Sequence, residues 1–151
     1  ELVPCVMLLR LGMILFSSML IQQKKDKEFL ELIKQNNYQN ISFVENEFFG
    51  TDHLSFSGFL FNHWKFDEDL IESLAYITAP HAASDHVKKN SYALAIANRI
   101  FEPYQGGSPY NVHEAVALIQ EAASQGIKFD LDNFKSKLPH EAKINLSVAV
   151  Y

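Results

Sequence analysis

The sequence has 151 residues, of which 48% are apolar and 21% charged, and these values are typical of one ordinary globular domain. They exclude a disordered or fibrous chain. A single cysteine, Cys5, excludes an intramolecular disulfide and a cysteine cluster for zinc, so we expect a reducing, cytoplasmic setting. The net charge of −5 argues against a nucleic-acid partner, because such a surface needs clustered lysine and arginine.

The longest apolar stretch, residues 2–21, is about as long as the roughly 20 residues that span a bilayer. Arg10 lies in its middle, and a central arginine costs about 2.5–3.5 kcal/mol on insertion scales. A signal peptide fits no better, because Glu1 stands where a positive region is expected. We therefore expect a buried core helix and no membrane contact. Because the sequence opens almost at once on core-like residues, we expect it to be the C-terminal part of a longer domain.

The periodicity beyond residue 21 is helical nearly throughout and predicts one compact, multi-helix, all-α domain over residues 1–151. Gly50 is expected to end one helix in the left-handed conformation, and Asn111 with Glu114 forms a variant of the capping box. The tail from Pro139 is assigned to helix, although its apolar residues alternate as in a strand. The other predicted helices span residues 25–36, 41–49, 52–64, 67–79, 84–101, 112–125 and 131–137. Their spacing places on the inner faces Phe29, Leu30, Ile33, Leu74, Leu94, Phe101, Ile119 and Ala123.

The usual catalytic signatures do not occur in the sequence. There is no Gly-x-Ser-x-Gly elbow, and Cys5 has no electropositive neighbour that would lower the pKa of its thiol. The glycine-rich turn at residues 106–109 lacks the strand and the lysine of a phosphate loop. His81 and His86 could meet a metal, but a solvent-facing loop is the favoured interpretation. We predict no catalytic residue, no metal and no cofactor.

One series of motifs resembles a known family. Residues 47–53 read Glu-Phe-Phe-Gly-Thr-Asp-His, and Gly58, Trp64 and an acidic helix start at Asp67 follow in order. This series resembles the HDOD family, over about residues 8–127. HDOD domains are helical output domains of bacterial signal-transduction proteins and are related to the HD-domain metal phosphohydrolases. The resemblance therefore implies an all-α fold and a role in signalling.

The resemblance also identifies where a metal site would lie in catalytic relatives. Residues 9–13 resemble their His-Asp-x-Gly-Lys segment, so the His-Asp pair is replaced here by Leu9 and Arg10. The histidine pair that ends a later helix is replaced by Ile77 and Thr78, and a late aspartate is replaced by Asn98.

Only His53 retains a side chain that can bind a metal at these positions. Leucine and isoleucine cannot coordinate, arginine is a permanent cation, and a neutral amide is a poor substitute for a carboxylate. A lone histidine holds no catalytic metal, so His53 is interpreted as a hydrogen-bonded core residue.

Three functions remain open. The first is a non-catalytic regulatory module that transmits a signal by contact with a protein partner. The second is a residual metal-dependent phosphohydrolase or nucleotide-binding protein of the HD superfamily, whose missing ligands come from upstream sequence or from His81 and His86. The third is a membrane-anchored protein that uses residues 2–21. We expect the first, with no enzymatic activity.

Overall fold

The described part of the chain consists of helices and loops. The computed structural model describes residues 6, 8–38, 40–101 and 110–143. No strand occurs among them, which confirms the all-α prediction. They group into two compact units, residues 1–75 and 76–151. In chain order the elements are α1 (Leu11–Gln23), α2 (Asp26–Gln35), α3 (Ile41–Phe49), α4 (His53–His63), α5 (Glu68–Ala75), a 3-10 helix (Pro80–Ala82), α6 (Asp85–Ile100), α7 (Val112–Ser124) and α8 (Leu131–Lys137).

Most predicted boundaries agree with these bounds to within a few residues, but two differ. The stretch expected as one helix over residues 2–21 is interrupted by a turn at Leu9 and Arg10, and α1 begins at Leu11. Arg10 is therefore the N-cap of α1 and does not lie in the middle of a helix. A guanidinium buried in the middle of a core helix would lose its hydration. α5 ends at Ala75, and a turn over residues 76–78 leads to Ala79, which precedes a proline and adopts a non-helical conformation with φ −142° and ψ 63°.

The predicted caps are confirmed by the backbone. Gly50 ends α3 with a φ of 76°, a left-handed conformation that a side chain would strain. The side chain of Asn111 accepts a hydrogen bond from the Glu114 amide at 3.4 Å. Residues 140–143 are helical, whereas the alternating residues 144–150, the glycine-rich turn and Cys5 lie outside the described residues.

Aromatic rings fill much of the core of the first unit. Phe16 on α1 lies 4.5 Å from Phe49 on α3, measured between ring centroids. Phe29 on α2 packs edge-on against Phe48 at 5.3 Å. These contacts join α1, α2 and α3 around a cluster of Leu20, Phe29 and Val44. In the described part of the chain, no helix combines the length and the apolar character that crossing a bilayer requires.

Two apolar clusters occur in the described part of the second unit, one of Ile96, Ala115 and Ile119 and one of Val112, Leu138 and Ala142. Both contact Phe134 of α8. α7 therefore has two packed faces. One packs against α6, and the other packs against α8 and the segment that follows α8.

Three predicted inner positions are wrong. Leu30 is 47% exposed and Phe101 is 57% exposed. Ala123 is exposed as well, because the buried position on α7 is its neighbour Ala122. Each error lies near a helix end or at the margin of an apolar stripe, where a rotation by one residue moves a side chain from the core to solvent.

Shortening Leu74 or Ile119 to alanine should lower the free energy of unfolding by about 2–5 kcal/mol, through lost burial and a residual cavity. Both side chains are buried. Leu30→Ala makes the same chemical change at a site that is 47% exposed and should cost less than half as much. Urea denaturation of the variants measures these losses in the free energy of unfolding. Equal losses for Leu74 and Leu30 would show that burial does not determine the cost of substitution at these positions.

Candidate functional site

A buried carboxylate and a buried imidazole form the most unusual polar pair of the first unit. Glu45 on α3 is 2% exposed, and His53 at the start of α4 is 3% exposed. Nδ1 of His53 lies 2.6 Å from Oε2 of Glu45, and the His53 backbone N–H donates to the same oxygen at 3.0 Å. An ionised carboxylate only accepts, so this contact requires a hydrogen on Nδ1, and in the neutral form of the ring Nε2 then carries the lone pair.

A second carboxylate, that of Asp52, caps the N-terminus of α4. Oδ1 of Asp52 accepts from the amides of Leu54 and Ser55 at 2.9 and 3.0 Å, and Oδ2 accepts from the Ser55 hydroxyl at 2.8 Å. Burial opposes ionisation of Asp52, but these hydrogen bonds and one from Asn46 outweigh it and lower the pKa of the carboxyl. The first amides of α4 are thus all satisfied by side chains, which leaves no N-terminal site for an anion.

α1 approaches α4 closely at Gly12. The Gly12 amide donates to the Ser57 hydroxyl oxygen at 3.2 Å, and that hydroxyl donates to the His53 carbonyl at 2.7 Å. A Cβ on residue 12 would lie 2.2 Å from the same carbonyl oxygen. Gly12, Ser57, His53 and Glu45 therefore form one buried hydrogen-bonded series that links α1, α4 and α3.

The residues that replace the His-Asp pair lie immediately before α1. Leu9 is buried in a turn, and Arg10 is half-buried. Nη1 of Arg10 donates to the Met13 sulfur at 3.4 Å. Because Gly12 follows them by only a few residues and contacts His53, this segment belongs to the same part of the first unit as the imidazole.

The remaining predicted positions lie in the second unit. Ile77 is buried in the turn after α5, and Thr78 is exposed beside it. Asn98 is buried on α6.

A second polar cluster was not expected from the sequence. Tyr92 is fully buried, and its hydroxyl donates to Oε1 of Glu121 at 2.8 Å. Burial and this hydrogen bond raise the pKa of Tyr92 to about 12. Nδ1 of His81 lies 3.4 Å from the same oxygen, but His81 and Glu121 are both largely exposed. His86 is also exposed.

The residues present do not fit a catalytic metal. Among the described residues, Nε2 of His53 is buried without a hydrogen-bond partner, and His53 is the one imidazole or carboxylate at the family's ligand positions. In the same part of the chain no three His, Cys, Asp or Glu side chains lie together in a way that could hold an ion. Leu9 and Arg10 supply no lone pair to the coordination that hydrolysis requires.

Glu45 is the site residue that sequence reasoning missed. On α3 it shares a face with Ile41 and Phe48, which lie four residues before it and three residues after it. A carboxylate on an apolar face signals a buried partner, because an unpaired buried charge is costly. That signal was present in the sequence, but the identity of the partner depends on how α3 and α4 pack.

Comparisons with known proteins agree with the motifs. The family profile of the HDOD domain matches residues 1–80, which include α1 to α5. A solved structure, that of a virulence factor from Campylobacter jejuni subsp. jejuni, is 55% identical in sequence with a TM-score of 0.83. The similarity covers 95% of this chain and 53% of that one, so the chain spans about half the length of that protein. A search of curated proteins finds no significant match.

Proposed function

Because this chain belongs to the HDOD family, we propose that it is a non-catalytic regulatory module of bacterial signal transduction that acts in the cytoplasm by contact with a protein partner. The observation that carries the proposal is which residues occupy the positions of the metal ligands in catalytic relatives. Leu9 and Arg10 stand before α1, and His53 is already hydrogen-bonded through Nδ1 to Glu45.

The chemistry of phosphoester hydrolysis supports this assignment. A divalent metal polarises the phosphoryl oxygen and lowers the pKa of a bound water, so that an electrophile and a nucleophile arise together. One imidazole nitrogen supplies neither the charge nor the coordination number for that task. Arg10, a permanent cation, stands at a position where catalytic relatives carry a carboxylate ligand, so the charge there is reversed.

The alternative is a residual phosphohydrolase or nucleotide-binding protein of the HD superfamily. One observation favours it: a carboxylate that fixes Nδ1 of a histidine and leaves Nε2 with a lone pair is the usual arrangement behind a metal-ligating histidine. The proposal interprets the same pair as a structural element that joins α3 to α4.

We expect the purified protein to hold substoichiometric metal and to turn over no substrate. The test is to load it with manganese, iron, magnesium or zinc, measure bound metal by elemental analysis, and assay cyclic dinucleotides, nucleotides and a generic phosphodiester. His63→Ala alters an exposed histidine of α4 and is the matched control for His53→Ala. About one metal per chain, with turnover that His53→Ala abolishes and His63→Ala keeps, would establish the enzyme alternative.

A further inference from the structure

The first turn of α1 is capped by another helix. The first amides of a helix have no acceptor within it, and an oxygen on the N-cap side chain usually accepts from the second or third of them. The N-cap of α1 is Arg10, whose side chain has no acceptor atom and makes no cap hydrogen bond. The amide of Gly12, the second residue of α1, donates instead to the Ser57 hydroxyl of α4 at 3.2 Å. Ser57 therefore replaces the missing N-cap group of α1.

The capping hydroxyl is fixed by the residue that also joins α4 to α3. Ser57 donates its hydroxyl hydrogen to the His53 carbonyl, one turn earlier in α4, at 2.7 Å. A hydroxyl that donates there keeps its lone pairs to accept from Gly12. The backbone N–H and Nδ1 of His53 donate in turn to Oε2 of Glu45. His53 therefore takes part both in the capping of α1 and in the bond to α3.

Burial makes these bonds depend on one another. Ser57, His53 and Glu45 are 0%, 3% and 2% exposed, so water cannot replace a partner that moves away. A Cβ on residue 12 would collide with the His53 carbonyl, which shows that the backbone of α1 lies directly on that peptide group. No side chain between the two backbones can absorb a movement. A displacement of His53 is therefore passed to the start of α1.

We propose that this series is a conformational coupling element, in which the bond between His53 and Glu45 controls whether the first turn of α1 is ordered. When α4 moves on α3, the Ser57 hydroxyl leaves the Gly12 amide and the start of α1 loses its cap. Coupling is reciprocal, so release of α1 weakens the bond to Glu45. A partner that engages α1 or α3 thereby alters the other helix, and only this use in signalling rests on the proposed function.

Amide hydrogen exchange, followed by NMR in the complete 151-residue chain, tests the coupling at the Gly12 and His53 amides. Glu45→Gln perturbs the bond to α3, and Ser57→Ala removes the capping hydroxyl. Each exchange rate is divided by that of the Leu20 amide near the far end of α1, which corrects for a change in the stability of the whole unit.

Glu45→Gln should accelerate exchange of the Gly12 amide at least about fivefold, although the two residues lie on different helices. Ser57→Ala should accelerate exchange of the His53 amide to a similar degree, because the coupling acts in both directions. In the Ser57→Ala background, Glu45→Gln should have no further effect on Gly12, since the connection is already broken.

Two variants serve as matched controls. Glu47→Gln makes the same chemical change at an exposed site of α3, and Ser91→Ala removes a buried hydroxyl of α6 that donates to a carbonyl of its own helix. Neither should alter exchange at the two amides. Ser57→Cys, whose thiol is a weaker acceptor than a hydroxyl, takes the place of Ser57→Ala if that variant does not fold.

A Gly12 amide that exchanges equally fast in Glu45→Gln and in Glu47→Gln would overturn the proposal. A full effect of Glu45→Gln in the Ser57→Ala background would also overturn it, because the coupling would then bypass the hydroxyl. Neither result involves the binding of metal or the turnover of a substrate, so this proposal and the proposed function fail separately.

Discussion

Gly12→Ala should destabilise the first unit by about 3 kcal/mol, at the upper end of the usual cost of overpacking. The new Cβ would lie 2.2 Å from the His53 carbonyl oxygen and 2.9 Å from its carbon and Cα. These are backbone atoms within the first turn of α4, so no side chain can rotate away. α1 must move, and the hydrogen bond from the Gly12 amide to Ser57 is then lengthened or lost.

Gly58→Ala is the matched control for this prediction, because both glycines are helical. The nearest atom to a Cβ on residue 58 is Cδ2 of Leu74 at 3.9 Å, an ordinary contact. There the change should raise the free energy of unfolding by up to about 1 kcal/mol, the helix-propensity difference between alanine and glycine. Urea denaturation of both variants measures whether each substitution lowers or raises the free energy of unfolding. A Gly12→Ala variant as stable as the parent would show that α1 and α4 are not in close contact.

Local chemistry explains which parts of the fold could be predicted from the sequence. Gly50, Asp52 and Asn111 act on the backbone within three residues of themselves, so their caps follow from sequence order alone. The approach of Gly12 to His53 joins residues far apart in the chain. It depends on the packing of two helices, and a single sequence does not specify that distance.

The same distinction between local features and contacts across the chain applies to the candidate site. The motif around His53 identified the histidine, because the order of residue types along the chain is what a motif records. Its partner Glu45 was missed, since the eight-residue separation crosses the loop between α3 and α4. The position of Arg10 was wrong for a related reason: an apolar run shows that a segment is buried, but it does not show where the helix begins.

Glu45→Ala should lower the free energy of unfolding by about 2–6 kcal/mol, because two buried donors lose their acceptor at about 1–3 kcal/mol each. These donors are the backbone N–H and Nδ1 of His53. Glu45→Gln keeps an acceptor oxygen of the same reach and should cost less than half as much. Glu47, which is exposed on the same helix, provides the control, and Glu47→Ala should change stability by less than about 0.5 kcal/mol.

Two substitutions of His53 separate the roles of its ring nitrogens. Asparagine places an amide N–H near the position of Nδ1 and can still donate to Glu45, whereas glutamine extends to the position of Nε2 and loses that bond. Since the Nδ1 bond joins α4 to α3, His53→Asn should unfold at a higher urea concentration than His53→Gln. The reverse order would mean that the stability of the first unit depends on Nε2, and it would contradict the structural role assigned to the Nδ1 bond.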